Sequence, residues 1–426
     1  MIALLKADFS QVDHFPAREY RLANGLTLIH QQVPASPAVM VDVWVRAGAI
    51  AEPEAWSGMA HFLEHMIFKG TDRLPPGAFD QIIENRGGLT NAATSHDYAH
   101  YYINTAASDL SDTLPCLAEL LINAAIPDEE FALEREVVLE EIRQSQDDPD
   151  GLGFQALMET IYQQHPYGRP VLGSPEALLA LSPQEMRCFH RAHYQPENMT
   201  VVVVGDVDWE SALELVDQSF NFNSPAVCPK PEILAEPPLT QIRRQELRLP
   251  RLEQARLMMA WAGPGVEDMR SAYGLDLLSV LLAGGRTARL VRELREERQL
   301  VQDIGSGFSL QRHSSLFTLT AWLEPQYLAQ VEAIIGDRLS ELAAVPVSEV
   351  ELNRYKRLLC NDYAFSTETA SQIAGLYGYY NTIAQAHLAI RYPEVIQSFQ
   401  PEELRQLASQ YLSPLRYAAT VLIPEG

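Results

Sequence analysis

The stretch Gly58-Met-Ala-His-Phe-Leu-Glu-His-Met-Ile-Phe-Lys-Gly70 constrains this chain more than any other. It is largely apolar, so the three polar groups His61, Glu64 and His65 inside it need a chemical reason to be there. On a helix His61 and His65 stand at i and i+4 and share one spot of surface, with Glu64 at i+3 flanking it. Two neutral imidazoles with a carboxylate beside them are what a catalytic metal site asks of a single helix.

Two histidines do not hold a catalytic zinc ion alone; a third protein ligand is needed, with one position left open. Glu64 shares the helix with both histidines and is better placed beside the metal as general base than on it. The acidic segment from Asp128 to Gln146 is the obvious supplier of the third ligand, with anions crowding the start where a helix dipole favours them. Periodicity alone does not choose among Glu134, Glu136, Glu140 and Glu141.

Around these motifs the chain reads as α+β, in two homologous domains, each a mainly antiparallel sheet flanked by helices, the pair enclosing a cavity. A length of 426 residues suits two domains. Residues 1–220 form the first copy and residues 241–426 the second. Residues 221–240, with prolines at 225, 229, 231, 237 and 238 and no sustained period, form the linker.

Strands are expected at Leu26–Gln32, Ala38–Arg46, Leu89–Thr94, Ala99–Thr105 and Asn198–Gly205, and helices at Trp56–Phe68, Asp128–Gln146, Leu152–Gln164 and Pro183–His193. Beyond the linker the order restarts, with strands at Gln241–Leu249, Ala255–Trp261, Val301–Ser309 and Leu316–Leu323. Helices are expected at Met269–Leu282 and Arg286–Glu297. Both copies end on a Pro-started helix followed by an apolar strand. The second copy has no histidine in Tyr273–Leu282, where its metal helix belongs, so one copy keeps the metal and the other shapes the cavity.

The 56 acidic and 32 basic residues give a formal charge of −24. That charge excludes nucleic acid and an anionic membrane surface as natural partners and favours basic or extended peptides. Cys116, Cys188, Cys228 and Cys360 are widely spaced and read as reduced, mostly buried thiols. The opening ten residues carry no leader pattern and no apolar run reaches membrane-spanning length, so a soluble, cytoplasmic chain is expected.

The order His-x-x-Glu-His is the inverted zinc-peptidase signature. With it, Gly-Gly-Leu-Thr-Asn-Ala-Ala-Thr-Ser-His-Asp-Tyr at 87–98 and Glu-Arg-Glu-Val-Val-Leu-Glu-Glu at 134–141 resemble the pitrilysin, insulinase and mitochondrial processing peptidase family, in its shorter two-domain branch. The resemblance implies a zinc endopeptidase with one Zn2+ per chain, held by His61, His65 and Glu141, with Glu64 as base and Glu134 as an assisting acid. It further implies that Asn91 and Ala92 on an edge strand bind the peptide backbone, and that Phe68 lines a pocket for a side chain after the cut bond.

One departure stands out. The family brings an Arg and a Tyr from the second copy to the substrate carbonyl; here the arginine is Arg295, but the tyrosine position holds Gln302. The resemblance therefore implies a dimer, including a heterodimer in which a homologous subunit supplies the Arg/Tyr pair. The rival expectation is a catalytically weak or inactive member that binds peptides or serves assembly. Removal of targeting presequences is a third.

Overall fold

Valine-rich runs that read as strands build the centres of two separate sheets. The computed structural model describes residues 16–222, 225–229, 231–250 and 252–425. The opening segment read for a leader lies outside the described residues, as do linker positions 223, 224 and 230.

The first sheet contains β1 (Arg18–Arg21), β2 (Thr27–Gln32), β3 (Ala38–Val45), β4 (Leu89–Thr94), β5 (Ala99–Ala106) and β6 (Met199–Gly205), in the spatial order β1-β2-β6-β3-β5-β4. The second contains β7 (Arg243–Leu249), β8 (Ala255–Gly263), β9 (Asp303–Leu310), β10 (Ser315–Leu323) and β11 (Ala418–Pro424), in the order β7-β11-β8-β10-β9. In each sheet one parallel pair, β2 with β6 and β7 with β11, sits beside antiparallel ladders. Laid on one another, β2, β6, β3, β5 and β4 match β7, β11, β8, β10 and β9. The duplicated α+β architecture expected from the sequence is present.

The two halves exchange helices. Helix Pro149–Ile161 of the first half packs on β7, β8 and β11, while helix Ala370–Ile383 of the second packs on β3 and β6. Both crossings place a glycine where the helix meets side chains of the sheet, and the approach is tightest at Gly378, which faces the rigid Trp44 ring. A Cβ on Gly378 would lie 2.0 Å from Trp44 Nε1, and one on Gly153 would lie 2.9 Å from Met258 Sδ. Trp44 pairs with Thr200 and Met258 with Thr420, so the two contacts occupy equivalent places. Polar bonds support the crossing helix: Arg46 donates to the Asn381 carbonyl at 2.7 Å, and the Asn381 amide donates to Thr200 Oγ1 at 2.8 Å.

The turn between β4 and β5 is clamped to the turn between β9 and β10. Buried Asp97 accepts the Tyr167 hydroxyl at 2.8 Å and the Arg312 N–H at 3.0 Å, and Tyr167 Oη accepts the His313 N–H at 3.1 Å. The seam between the halves also holds a cavity of about 690 Å³ lined by Ile233, Pro237 and Pro238 of the linker with Trp261 and His313. His61, His65 and Glu141 do not line it, so this is not a chamber around the metal motif.

Two local readings are corrected, the Cys188 and Cys228 thiols and the Arg286–Glu297 helix, and two helices are added. Cys188 and Cys228 are joined in a disulfide rather than reduced; helix Pro183–His193 and the linker bring their Cα atoms to 6.1 Å, a span that this bond bridges. Cys116 and Cys360 are free and half-buried. Helices Pro175–Ala180 and Trp209–Ser219 were not anticipated. Much of the segment expected as helix Arg286–Glu297 is instead a wide π-helical turn over Val291–Glu297. Among the described residues no helix is long and apolar enough to cross a membrane.

Replacing Tyr167 by Phe removes one donor to Asp97 and strands the His313 N–H. The exchange is expected to lower stability by about 1–3 kcal/mol, read from urea unfolding. An unchanged midpoint would show that the clamp contributes nothing.

Candidate metal centre

The motif helix runs over Met59–Ile67. Its start is fixed by Glu52, whose buried carboxyl accepts the N–H groups of Gly58 at 2.9 Å and Ala60 at 2.7 Å, satisfying donors that a first helical turn leaves open. Burial pushes the Glu52 carboxyl up to about 8, against the pull of those N–H groups and Arg169. The helix buries Met59, Phe62, Leu63, Met66 and Ile67, leaving the face with His61, Glu64 and His65 partly open.

The acidic helix spans Asp128–Ser145 and lies across the motif helix, with the rings of Phe62 and Phe131 4.6 Å apart. Its inward stripe is Phe131, Glu134, Val138 and Ile142, with Glu141 at its margin. Glu136 and Glu140 point outward, and Glu140 pairs with Arg143. Val137, although apolar, is exposed on that outer side. Packing therefore makes the choice that periodicity left open, because only Glu134 and Glu141 face the histidines.

His61 Nε2 lies 3.7 Å and His65 Nε2 3.5 Å from Glu141 Oε2. One ligand atom from each of these three residues falls within 4.8 Å of the others. Two imidazole nitrogens and one carboxylate oxygen, with the Glu141 side chain still 37% exposed, fit a zinc ion that keeps an open coordination position. His65 Nδ1 donates to Glu134 Oε1 at 2.9 Å, since a carboxylate can only accept, and this leaves the Nε2 lone pair for a metal. Lys69 Nζ stands 2.5 Å from Glu134 Oε2.

Charge follows the same plan. Burial would raise Glu134, but bonds from Lys69 and His65 outweigh it and hold the carboxyl below its ordinary value. Burial, then the neighbouring His65, lowers His61 to about 4, so it is a neutral donor near pH 7. Burial raises Glu64 above the ordinary carboxyl range, while the Thr94 hydroxyl, donating to Oε2 at 2.6 Å, opposes the rise.

The remaining sequence candidates are placed as follows. Asn91 and Ala92 lie on β4, at the free edge of the first sheet, and Asn91 Oδ1 accepts the Ala92 N–H at 2.9 Å. Phe68, just past the motif helix, is half-buried with its ring 6.1 Å from Phe79 and 6.2 Å from Tyr101. Arg295 is in the second half, bonded to Glu296 and Asp303. Its ion pairs stay within that half and do not join it to the histidines. Gln302 is exposed, and its backbone N–H donates to the Trp322 carbonyl.

Sequence reasoning missed Glu52, Lys69 and Thr94. The signal for Glu52 was an acid shortly before a helix start; Lys69 and Thr94 lay inside the quoted motifs with no spacing rule to single them out.

The chain is similar in sequence to proteins named as zinc proteases. The family description "Insulinase (Peptidase family M16)" matches residues 27–175, and "Peptidase M16 inactive domain" matches residues 180–359. An uncharacterized zinc protease of Mycobacterium bovis is 29% identical over 96% of this chain and 93% of its own length. The zinc protease PqqE of Helicobacter pylori is 28% identical over 100% of this chain and 97% of its own. The crystal structure of a protease from Helicobacter pylori superposes with a TM-score of 0.88 at 26% identity, covering 96% of this chain and 99% of that one. A Pseudomonas fluorescens structure described as a peptidase M16 inactive domain shares the fold, with a TM-score of 0.85 at 20% identity over 97% and 99% of the two chains.

Because Glu134 accepts the His65 Nδ1–H and so refines the orientation of the ring, Glu134→Gln is expected to weaken zinc binding roughly 10- to 100-fold, measured by competition with a chromophoric chelator. Unchanged affinity would mean that the ring is held by its packing alone.

Proposed function

The chain belongs to peptidase family M16, the insulinase family, and we propose that it is a zinc-dependent endopeptidase of the inverted His-x-x-Glu-His type, acting on extended or unfolded peptides. The observation that carries this reading is the convergence of His61, His65 and Glu141 with Glu64 on the same helix face. A zinc ion there, one per chain, supplies Lewis-acid polarisation of a peptide carbonyl and of water. Glu64 takes the proton of the attacking water on its carboxylate and passes it to the leaving amine. Its raised pKa suits a group that must both accept and return a proton. Glu134 acts behind His65, with Lys69 keeping it ionised.

Substrate would be laid along β4 as an added strand, using main-chain bonds beside Asn91 and Ala92, with Phe68 bordering a side-chain pocket. The edge supports this: the Ala92 N–H is held by the adjoining Asn91 side chain rather than by a neighbouring strand, a bond that an incoming backbone can replace. The charge of −24 favours basic peptides, presequences among them.

Arg295 is engaged by Glu296 and Asp303 of its own half, and the dimer we propose is one in which that arginine's task at the substrate carbonyl falls to another subunit. Gln302 in the tyrosine position favours a homologous partner that supplies the Arg/Tyr pair. The same residue is the observation behind a second reading, a weak or inactive subunit that binds peptides. On compartment, a cytoplasmic chain would hold Cys188 and Cys228 reduced, whereas the disulfide belongs to an oxidising compartment.

The test is hydrolysis of a quenched, unfolded peptide by the zinc-loaded chain. Glu64→Gln is expected to retain zinc and lose roughly 10²- to 10⁴-fold in turnover; turnover at the parent rate would refute the role of Glu64. Full activity of the chain alone would sink the split-site arrangement, and activity that appears only with a homologous partner lacking the metal motif would support it.

A further inference from the structure

Among the described residues, the Glu64 carboxylate has one hydrogen-bond partner, the Thr94 hydroxyl on Oε2, and no cation pairs with it. The other oxygen, Oε1, has no protein partner. A glutamate side chain ends in a broad torsion that leaves its two oxygens free to exchange. A bond from a hydroxyl to one oxygen of a carboxylate is among the stronger kinds and ends that freedom.

Thr94 is suited to fix something else because it is itself fixed. It is the last residue of β4, opposite Ala99 of β5, and shares the face of the sheet that carries Ala92 and the buried Tyr101. Immediately beyond it the Ser95 carbonyl accepts the Ala49 N–H at 3.0 Å, the His96 carbonyl accepts the Ile50 N–H at 2.9 Å, and Asp97 is held by Tyr167 and Arg312. Its β-branched side chain has restricted χ1 freedom, so the hydroxyl direction follows the strand.

We propose that Thr94 is a positioning residue for Glu64. Its hydroxyl engages Oε2, reserves Oε1 for proton transfer, and ties that oxygen to the strand edge along which a peptide is laid. The functional part rests on the endopeptidase reading; the geometric part does not.

The test compares Thr94→Val, which keeps the branched shape and loses the hydroxyl, with Thr94→Ser, which keeps the hydroxyl. Zinc content, kcat and KM are measured on a quenched peptide, and each zinc-loaded variant is crystallised. Thr94→Val is expected to lower kcat roughly 10- to 100-fold with KM and zinc content unchanged, and to leave Glu64 in more than one orientation. Thr94→Ser is expected to keep kcat within about threefold and Glu64 in one orientation.

Parent kcat and an ordered Glu64 in Thr94→Val would overturn the proposal. So would a Thr94→Ser variant as impaired as Thr94→Val, or a change confined to KM, because either would assign the effect to packing or to the substrate edge. If the valine variant does not fold, Thr94→Ala takes its place. If the parent chain hydrolyses no peptide, the peptidase reading fails, and the crystals alone decide whether Thr94 orients Glu64.

Discussion

Each sheet in this molecule is finished by a helix from the other half. A sheet buried on both faces needs cover on both, and every residue of β6 and nearly every residue of β3 is buried. One face of the first sheet is covered by its own metal-motif helix and neighbours; the other is covered by Ala370–Ile383. The close approach at Gly378 and Trp44 therefore seats the strands on whose far side the metal-motif helix is packed.

The parts of the candidate metal centre ride on elements with buried anchors. His61 and His65 stand one turn apart on a helix whose other face is filled by Phe62, Leu63 and Met66. Glu134 and Glu141 are two turns apart on a second helix, and Phe131 and Val138 press that helix against the first. Each donor is thus placed by apolar contacts on the opposite side of its own helix, and the polar bonds among Lys69, Glu134 and His65 refine the ring orientation rather than create it.

The features legible in the sequence were those with a local period. The histidine pair, the alternating and valine-rich strands, the proline-rich linker and the repeat of element order all follow from spacing along the chain. Partner choice was not legible. The apolar residues of Pro149–Ile161 look the same whichever sheet they cover, so the exchange of helices left no mark on periodicity. Periodicity did not separate Glu141 from Glu136 and Glu140; the resemblance singled it out, and the physical reason is the face that the acidic helix turns inward. Cys188 and Cys228, 40 residues apart, became neighbours through the path of the linker. Thr94 and Lys69 act through single contacts to other elements, and such contacts have no signature in one strand or one helix.

The reciprocal crossing has a further consequence for what counts as a unit here. Two equivalent bodies that each lend the same element to the other, around matched contacts at Gly153 with Met258 and Gly378 with Trp44, have the geometry of an isologous, element-swapped dimer. The proline-rich segment makes that dimer a single molecule by joining the tail of one protomer-like body to the head of the next. A half excised at the linker would expose one bare sheet face and carry one helix with nothing to cover, so the smallest self-contained body in this fold is the pair.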